Sequence, residues 1–242
     1  MAHLQPLKFV QVLPKAKHTA TVFFMHGLGD SGAGWAPVAD MLSEKLPHVK
    51  WILPNARTQP VTVNWGMDSP SWFDIYTLGD RSMPQREDER GMLDSVVSIE
   101  ALVADEIEKN NIPSERIIVG GFSQGGALSM LFGTTTKHKL GGIVVLSAWL
   151  PLRDKIASMV SPELKTLPIF QGHGVQDAIV QCEWGRLSGE YLKEKFGVKV
   201  AEPGKLKEGG IIFKTYQGLL HGASDEEIED LSKWLQEVLP NN

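Results

Sequence analysis

The chain has 242 residues, enough for one large α/β domain or two small ones, and long enough to bury a substantial core without staples. Its 42% hydrophobic and 22% charged content excludes a disordered or fibrous chain. A net charge of -5 with no basic cluster argues against a nucleic-acid-binding face, and the single cysteine, Cys182, rules out an intramolecular disulfide.

The opening MAHLQPLKFVQVLP has no charged segment leading into an apolar one, so no signal peptide is expected. No apolar run approaches membrane-spanning length. With Ala2 at the second position no N-myristoylation is expected, and with the ending LPNN no prenylation or peroxisomal signal is expected. The expected location is the cytoplasm, with the nucleus also open.

Candidate strands follow in chain order: FVQVL (9–13), TVFFM (21–25), VKWIL (49–53), RIIVG (116–120), GIVVLS (142–147), LPIFQG (167–172) and IIFKTY (211–216). Between them lie helical patterns from Trp35 to Leu46, Glu87 to Lys109 and Cys182 to Phe196. The last, Ser224 to Leu239, opens on a capping box of Ser224 with Glu227 and sets Ile228, Leu231, Trp234, Leu235 and Val238 on one face. Strand–helix alternation predicts an α/β fold, a mostly parallel sheet covered on both faces. No linker, repeat or low-complexity tract divides the chain. Residues 55–90 stand apart, mixing turn formers with Trp65, Met67, Trp72, Phe73, Ile75, Tyr76 and Leu78. A connection of that length is functional or disordered, and its aromatic content disfavours disorder.

FFMHGLGDSGAGW (23–35) matches the dinucleotide fingerprint G-x-G-x-x-G at Gly27, Gly29 and Gly32. Such a loop needs an acidic residue about 20 positions later, after the next strand, to hold a ribose. Here VKWIL runs into Pro54 and Asn55, and Asp30 would face the pyrophosphate. The glycines therefore serve another close approach.

That approach is set by RIIVGGFSQGGALSMLFG (116–133), a β-branched run, then G-x-S-x-G centred on Ser123, then a small-residue helix. This is the pattern of a nucleophile elbow, in which a sharp strand-to-helix turn projects the serine Oγ and flanking glycines remove colliding side chains. The alternative, a glycine-rich turn whose serine only caps a helix, leaves the preceding apolar strand unexplained. An oxyanion hole would draw on the N–H of Gln124 and the N–H of Leu28 in the glycine loop. In such sites the order is Ser, then Asp or Glu, then His. Only His138, His173 and His221 follow Ser123. His138 lies in a charged stretch, and His173 would need Asp154 or Glu163 as its acid. His221 follows the last strand, and Asp177 follows the penultimate one, the right places for base and acid. Asp177 as a turn former and His221 as a helix-entry residue are the plainer readings.

With these motifs in hand the chain resembles the cytosolic acyl-protein thioesterase and carboxylesterase family of α/β-hydrolases, through HGLGDSGAGW, the PNA of ILPNA, SWFDI, GFSQGG, LSAWLP and the late histidine. The resemblance implies one α/β-hydrolase domain over 1–242 without a large separate lid, in which 55–90 is an acyl-channel or lid loop. It implies a cofactor-free and metal-free serine hydrolase that removes long acyl groups from protein cysteines. The alternative is a carboxylesterase or lysophospholipase for small or monoacyl oxyesters. It assigns Ser123, Asp177 and His221 as the triad and Leu28 and Gln124 to the oxyanion hole. Trp72, Phe73, Ile75, Tyr76 and Leu78, with Trp149, would line an acyl channel, although packing of the loop explains any one of them equally well. The implied partners are S-acylated proteins, lysophospholipids or esters, with at most transient contact to a membrane surface. A monomer or weak homodimer is expected. Ala178 departs from the proline common after the acid, and YTLGDRSMPQREDERG departs from the shorter loop of the family.

Overall fold

The computed structural model describes residues 5–78 and 86–241. A seven-stranded sheet runs in the order β1-β3-β2-β6-β7-β8-β9. Its members are β1 (Phe9–Val12), β2 (Ala20–Met25), β3 (Val49–Pro54), β6 (Ile117–Phe122), β7 (Gly142–Leu146), β8 (Pro168–Gly174) and β9 (Gly210–Tyr216). All neighbours pair in parallel except β1, which runs antiparallel to β3 at the edge. Five of the six parallel strands are almost continuously buried, as a sheet covered on both faces requires, and the edge strand β9 is partly open, with Lys214 and Thr215 exposed.

Side-chain alternation divides the core into two layers. In β2, Val22 and Phe24 face the layer holding α1 (Gly32–Lys45) and α5 (Asp225–Val238). Phe23 and Met25 face α2 (Glu89–Asn110), α3 (Gln124–Thr135) and α4 (Cys182–Phe196). α3 is buried from Gln124 to Thr134, so it is apolar all round rather than striped. Its glycines permit this depth: a methyl on Gly133 would lie 2.5 Å from Ile143 of β7.

The seven expected strands and four helical stretches all occur, with ends moved by a few residues. Two local expectations are corrected. Residues 55–90 hold a two-stranded antiparallel ribbon, β4 (Thr58–Val61) and β5 (Met67–Pro70), whose proline-bearing strands show no apolar alternation. Part of that stretch, 79–85, lies outside the described residues, as do 1–4 and 242. The capping box is only half formed: Ser224 Oγ accepts the Glu227 N–H at 3.2 Å, but the Glu227 carboxyl turns into the core instead of reaching back.

β2 sits between β3, which follows it, and β6, which comes after the β4–β5 ribbon and α2. Connections leave β2 and β6 in opposite directions across the sheet, and such a switch point opens a crevice at the strands' C-terminal ends. Met25 pairs with Gly121, so the loops after β2 and β6 emerge side by side. Among the described residues no helix is long and apolar enough to cross a membrane.

Candidate active site

Ser123 stands between the end of β6 and the first residue of α3 with φ 54° and ψ -118°, a backbone conformation that side chains rarely adopt. Holding a non-glycine residue there costs about 1–3 kcal/mol. The turn is wedged from both sides. A methyl on Gly121 would meet the Gly125 main chain at 2.4 Å, and one on Gly125 would meet Met25 O at 2.2 Å. The Ser123 N–H donates to Leu146 O at 2.8 Å, pinning the turn to β7. The result is a partly exposed hydroxyl at the C-terminal edge of the sheet.

His221 comes from the loop after β9. Its Nε2 lies 2.9 Å from Ser123 Oγ, and its Nδ1 lies 2.7 Å from Asp177 Oδ2. The three side chains expected to form one proton-transfer line are thus brought together from positions 44 and 98 residues apart. The imidazole also leans on Phe122, ring centroids 4.8 Å apart. Phe122 in turn packs on Trp35 of α1 at 5.5 Å, so the ring is backed by the core.

Asp177 has a fully buried side chain in the loop after β8. Burial alone would push its carboxyl up. The neighbouring His173, the His221 hydrogen bond and the Val180 N–H outweigh burial and hold it well below the usual carboxylate range. Oδ1 accepts from the N–H groups of Ile179 at 2.9 Å and Val180 at 2.8 Å, which leaves Oδ2 for His221. His173, the competing candidate base, is buried: its Nε2–H donates to Val180 O at 2.7 Å and stands 3.6 Å from Asp177 Oδ2. At that distance it acts on the carboxylate through its N–H dipole rather than through a hydrogen bond.

The loop after β2 passes over the elbow: a methyl on Gly27 would come within 3.3 Å of the Phe122 ring and 3.4 Å of Ser123 Cβ. Leu28 follows, partly buried, and Gly29 takes a left-handed φ of 80°. The Gln124 N–H is the first of α3 and has no acceptor within the helix. Both expected donors therefore lie on main chain beside Ser123. His26, which sequence reasoning passed over, anchors this loop. Burial lowers its pKa and favours the neutral ring, whose Nδ1–H donates to Gly27 O at 2.6 Å while Nε2 accepts from Ala56 N–H at 3.1 Å. Asn55 of the PNA motif caps α1 in place of Ser31, its Oδ1 accepting the Gly32 N–H at 2.9 Å.

Trp72, Phe73, Ile75 and Trp149 are buried in the larger core layer, at most 5% exposed. Trp72 also makes specific hydrogen bonds: Nε1–H donates to His26 O at 2.8 Å. Tyr76 is half-buried under the Arg86 guanidinium, 4.4 Å from its ring centroid, and Leu78 packs half-buried on the same layer as Leu28. Among the described residues of this region the exposed large apolar side chains are Trp65, 93% exposed where β4 turns to β5, and Met67.

Residues 8–239 match the family model described as phospholipase/carboxylesterase. An acyl-protein thioesterase 1 of Cryptococcus neoformans is 48% identical over 234 residues, covering 96% of this chain and 98% of its own. Among solved structures, Zea mays acyl-protein thioesterase 2 superposes with a TM-score of 0.80 at 30% identity, covering 96% of this chain and 99% of its own. Arabidopsis thaliana SOBER1 gives 0.80 at 32%, covering 91% and 99%. Sheet order, serine turn and full-length similarity agree, and the chain belongs to the phospholipase/carboxylesterase family of α/β-hydrolases.

Proposed function

We propose that this protein is an acyl-protein thioesterase that removes long acyl chains from protein cysteines, with Ser123, His221 and Asp177 as nucleophile, base and acid. The unbroken Ser123–His221–Asp177 hydrogen-bond line carries this reading, and the thioesterase names of its relatives support the substrate class. Ser123 Oγ attacks the acyl carbonyl as its proton passes to His221 Nε2, and Asp177 stabilises the imidazolium. The carbonyl oxygen becomes an oxyanion facing the Leu28 and Gln124 amides, where one donor typically contributes about 3 kcal/mol. Collapse expels the cysteine thiolate, which takes up a proton from His221. Water, deprotonated by the same imidazole, then attacks the acyl-serine and frees the fatty acid. A thiol of pKa about 8.5 leaves readily, whereas an amine must be protonated first, so thioesters suit this site better than peptides.

In this reading residues 1–242 form one hydrolase unit and the 55–90 segment faces the acyl chain. Half-buried Leu28 and Leu78, continuous with the layer of Trp72, Phe73, Ile75 and Trp149, supply the apolar wall, and Tyr76 its flank. Exposed Trp65 and Met67 favour brief contact with a membrane surface by a monomer or weak dimer in the cytoplasm. Each methylene buried contributes about 0.8 kcal/mol, or roughly fourfold. Matched thioester and oxyester series of rising chain length therefore test the reading. A kcat/KM that climbs with length, thioesters leading, is expected. A flat series, or one led by short oxyesters, would instead favour a general carboxylesterase or lysophospholipase.

A further inference from the structure

The two proposed oxyanion donors belong to separate elements, the loop after β2 and the start of α3, yet the structure ties them into one unit. We infer that the Gln124 side chain and Trp72 are positioning residues that hold the Leu28 N–H at the angle the oxyanion needs, an inference that rests on the serine-hydrolase reading above. The Gln124 carboxamide is fully buried and all three of its hydrogen bonds go to one segment. Oε1 accepts the Trp72 N–H at 2.9 Å, and Nε2–H donates to Ser71 Oγ at 2.9 Å and Phe73 O at 2.6 Å. Ser71 Oγ–H closes the knot on Phe73 O at 2.6 Å, and Ser95 Oγ donates to Trp72 O from α2.

The segment so fixed grips the loop after β2 at two points that bracket Leu28. The Trp72 Nε1–H holds His26 O at 2.8 Å, and Pro70 O accepts the Gly29 N–H at 2.9 Å. The grips hold the peptide units on either side of the one carrying the Leu28 N–H and so fix the axis between the Gly27 and Leu28 α-carbons, while His26 Nδ1–H on Gly27 O at 2.6 Å sets the rotation of that planar unit about it. Gln124 thus contributes twice: its own N–H is one donor, and its side chain sets the other through 70–72. Buried polar groups satisfied this completely fix a single geometry and lose it together when one partner is removed.

Trp72→Phe deletes only the Nε1–H, and Gln124→Met deletes the carboxamide while keeping the main-chain donor. With a p-nitrophenyl ester, each variant should lose about 10–100-fold in kcat with KM nearly unchanged, short of the loss of a whole donor. An acyl trifluoromethyl ketone should bind weaker by the same factor. Ser123 Oγ adds to its carbonyl carbon, the proton goes to His221, and the resulting oxyanion needs both amides. A methylene thioether of equal length, having no carbonyl, should bind unchanged. The double variant should be no worse than the poorer single one, because both act through one linkage. Fluorophosphonate titration counts competent sites, so misfolded fractions do not enter the ratios. Singles within twofold of wild type, equal weakening of ketone and thioether, or additive losses would overturn the inference. A p-nitrophenyl ester hydrolysed without thioester cleavage would sink the thioesterase reading alone. A wild type inert to both, or Ser123→Ala as active as wild type, would sink both.

Discussion

Ser123 carries backbone strain that glycine would relieve, because glycine adopts positive φ at little cost. Ser123→Gly should therefore be inactive yet more stable by about 1 kcal/mol, read as a melting temperature a few degrees higher. Ser123→Ala, which keeps the β-carbon, should show no such gain, and equal melting temperatures for the two variants would contradict the strain. Asp177→Asn should retain the fold but lose about 10⁴ in kcat, since the amide no longer accepts from Nδ1 and the imidazole takes the wrong tautomer. A loss under tenfold would remove Asp177 from the proton line. The sequence made Ser123, Asp177 and His221 readable as candidates because each follows a strand in the required order. His26, His173 and the Gln124 side chain were not readable, because their partners are main-chain groups such as Gly27 O, Val180 O and Phe73 O. No residue type announces which main-chain carbonyl its side chain will bond.

The last helix, α5, carries the clearest amphipathic pattern in the chain, and the structure adds a charge problem that the pattern hides. The Glu227 side chain is fully buried, neither oxygen finds a partner among the described residues, and Oε1 sits where a Gly172 methyl would be. Burial pushes its carboxyl up to about 8. The folded-state value lies above the ordinary 4.5, so the neutral form is the one the fold accommodates. Its contribution is complete below about 4.5 and falls by about 1.4 kcal/mol per pH unit until about 8. Glu227→Gln should flatten this fall, so that wild type loses stability in denaturant titrations between pH 5 and pH 8 while the variant loses much less. Parallel pH curves would show that the carboxyl titrates normally. Capping-box spacing predicted the opposite orientation for this residue. At the same scale the seven sheet strands were legible from β-branched runs, whereas the β4–β5 ribbon was not: its strands TQPV and MDSP are too polar and proline-rich to read as strands.

For the whole molecule, the fold places function through topology. Strand order alone sets the glycine loop beside the serine turn, and β8 and β9, adjacent and parallel, deliver Asp177 and His221 to the same sheet edge. Strand–helix alternation made the parallel sheet predictable, and the order of Ser, Asp and His then indicated which edge matters. What sequence could not separate was packing from substrate contact in the aromatic segment. Trp72 and Phe73 are core residues and hydrogen-bonding partners, and a linear pattern of apolar residues looks the same whether it faces a core or a lipid. The most direct measurement is release of thiol from a palmitoylated peptide by wild type and by Ser123→Ala, each confirmed folded. Rapid release by wild type and none above background by the variant is expected. Equal release by both would show that the hydroxyl at the end of the Asp177–His221 line is not the nucleophile.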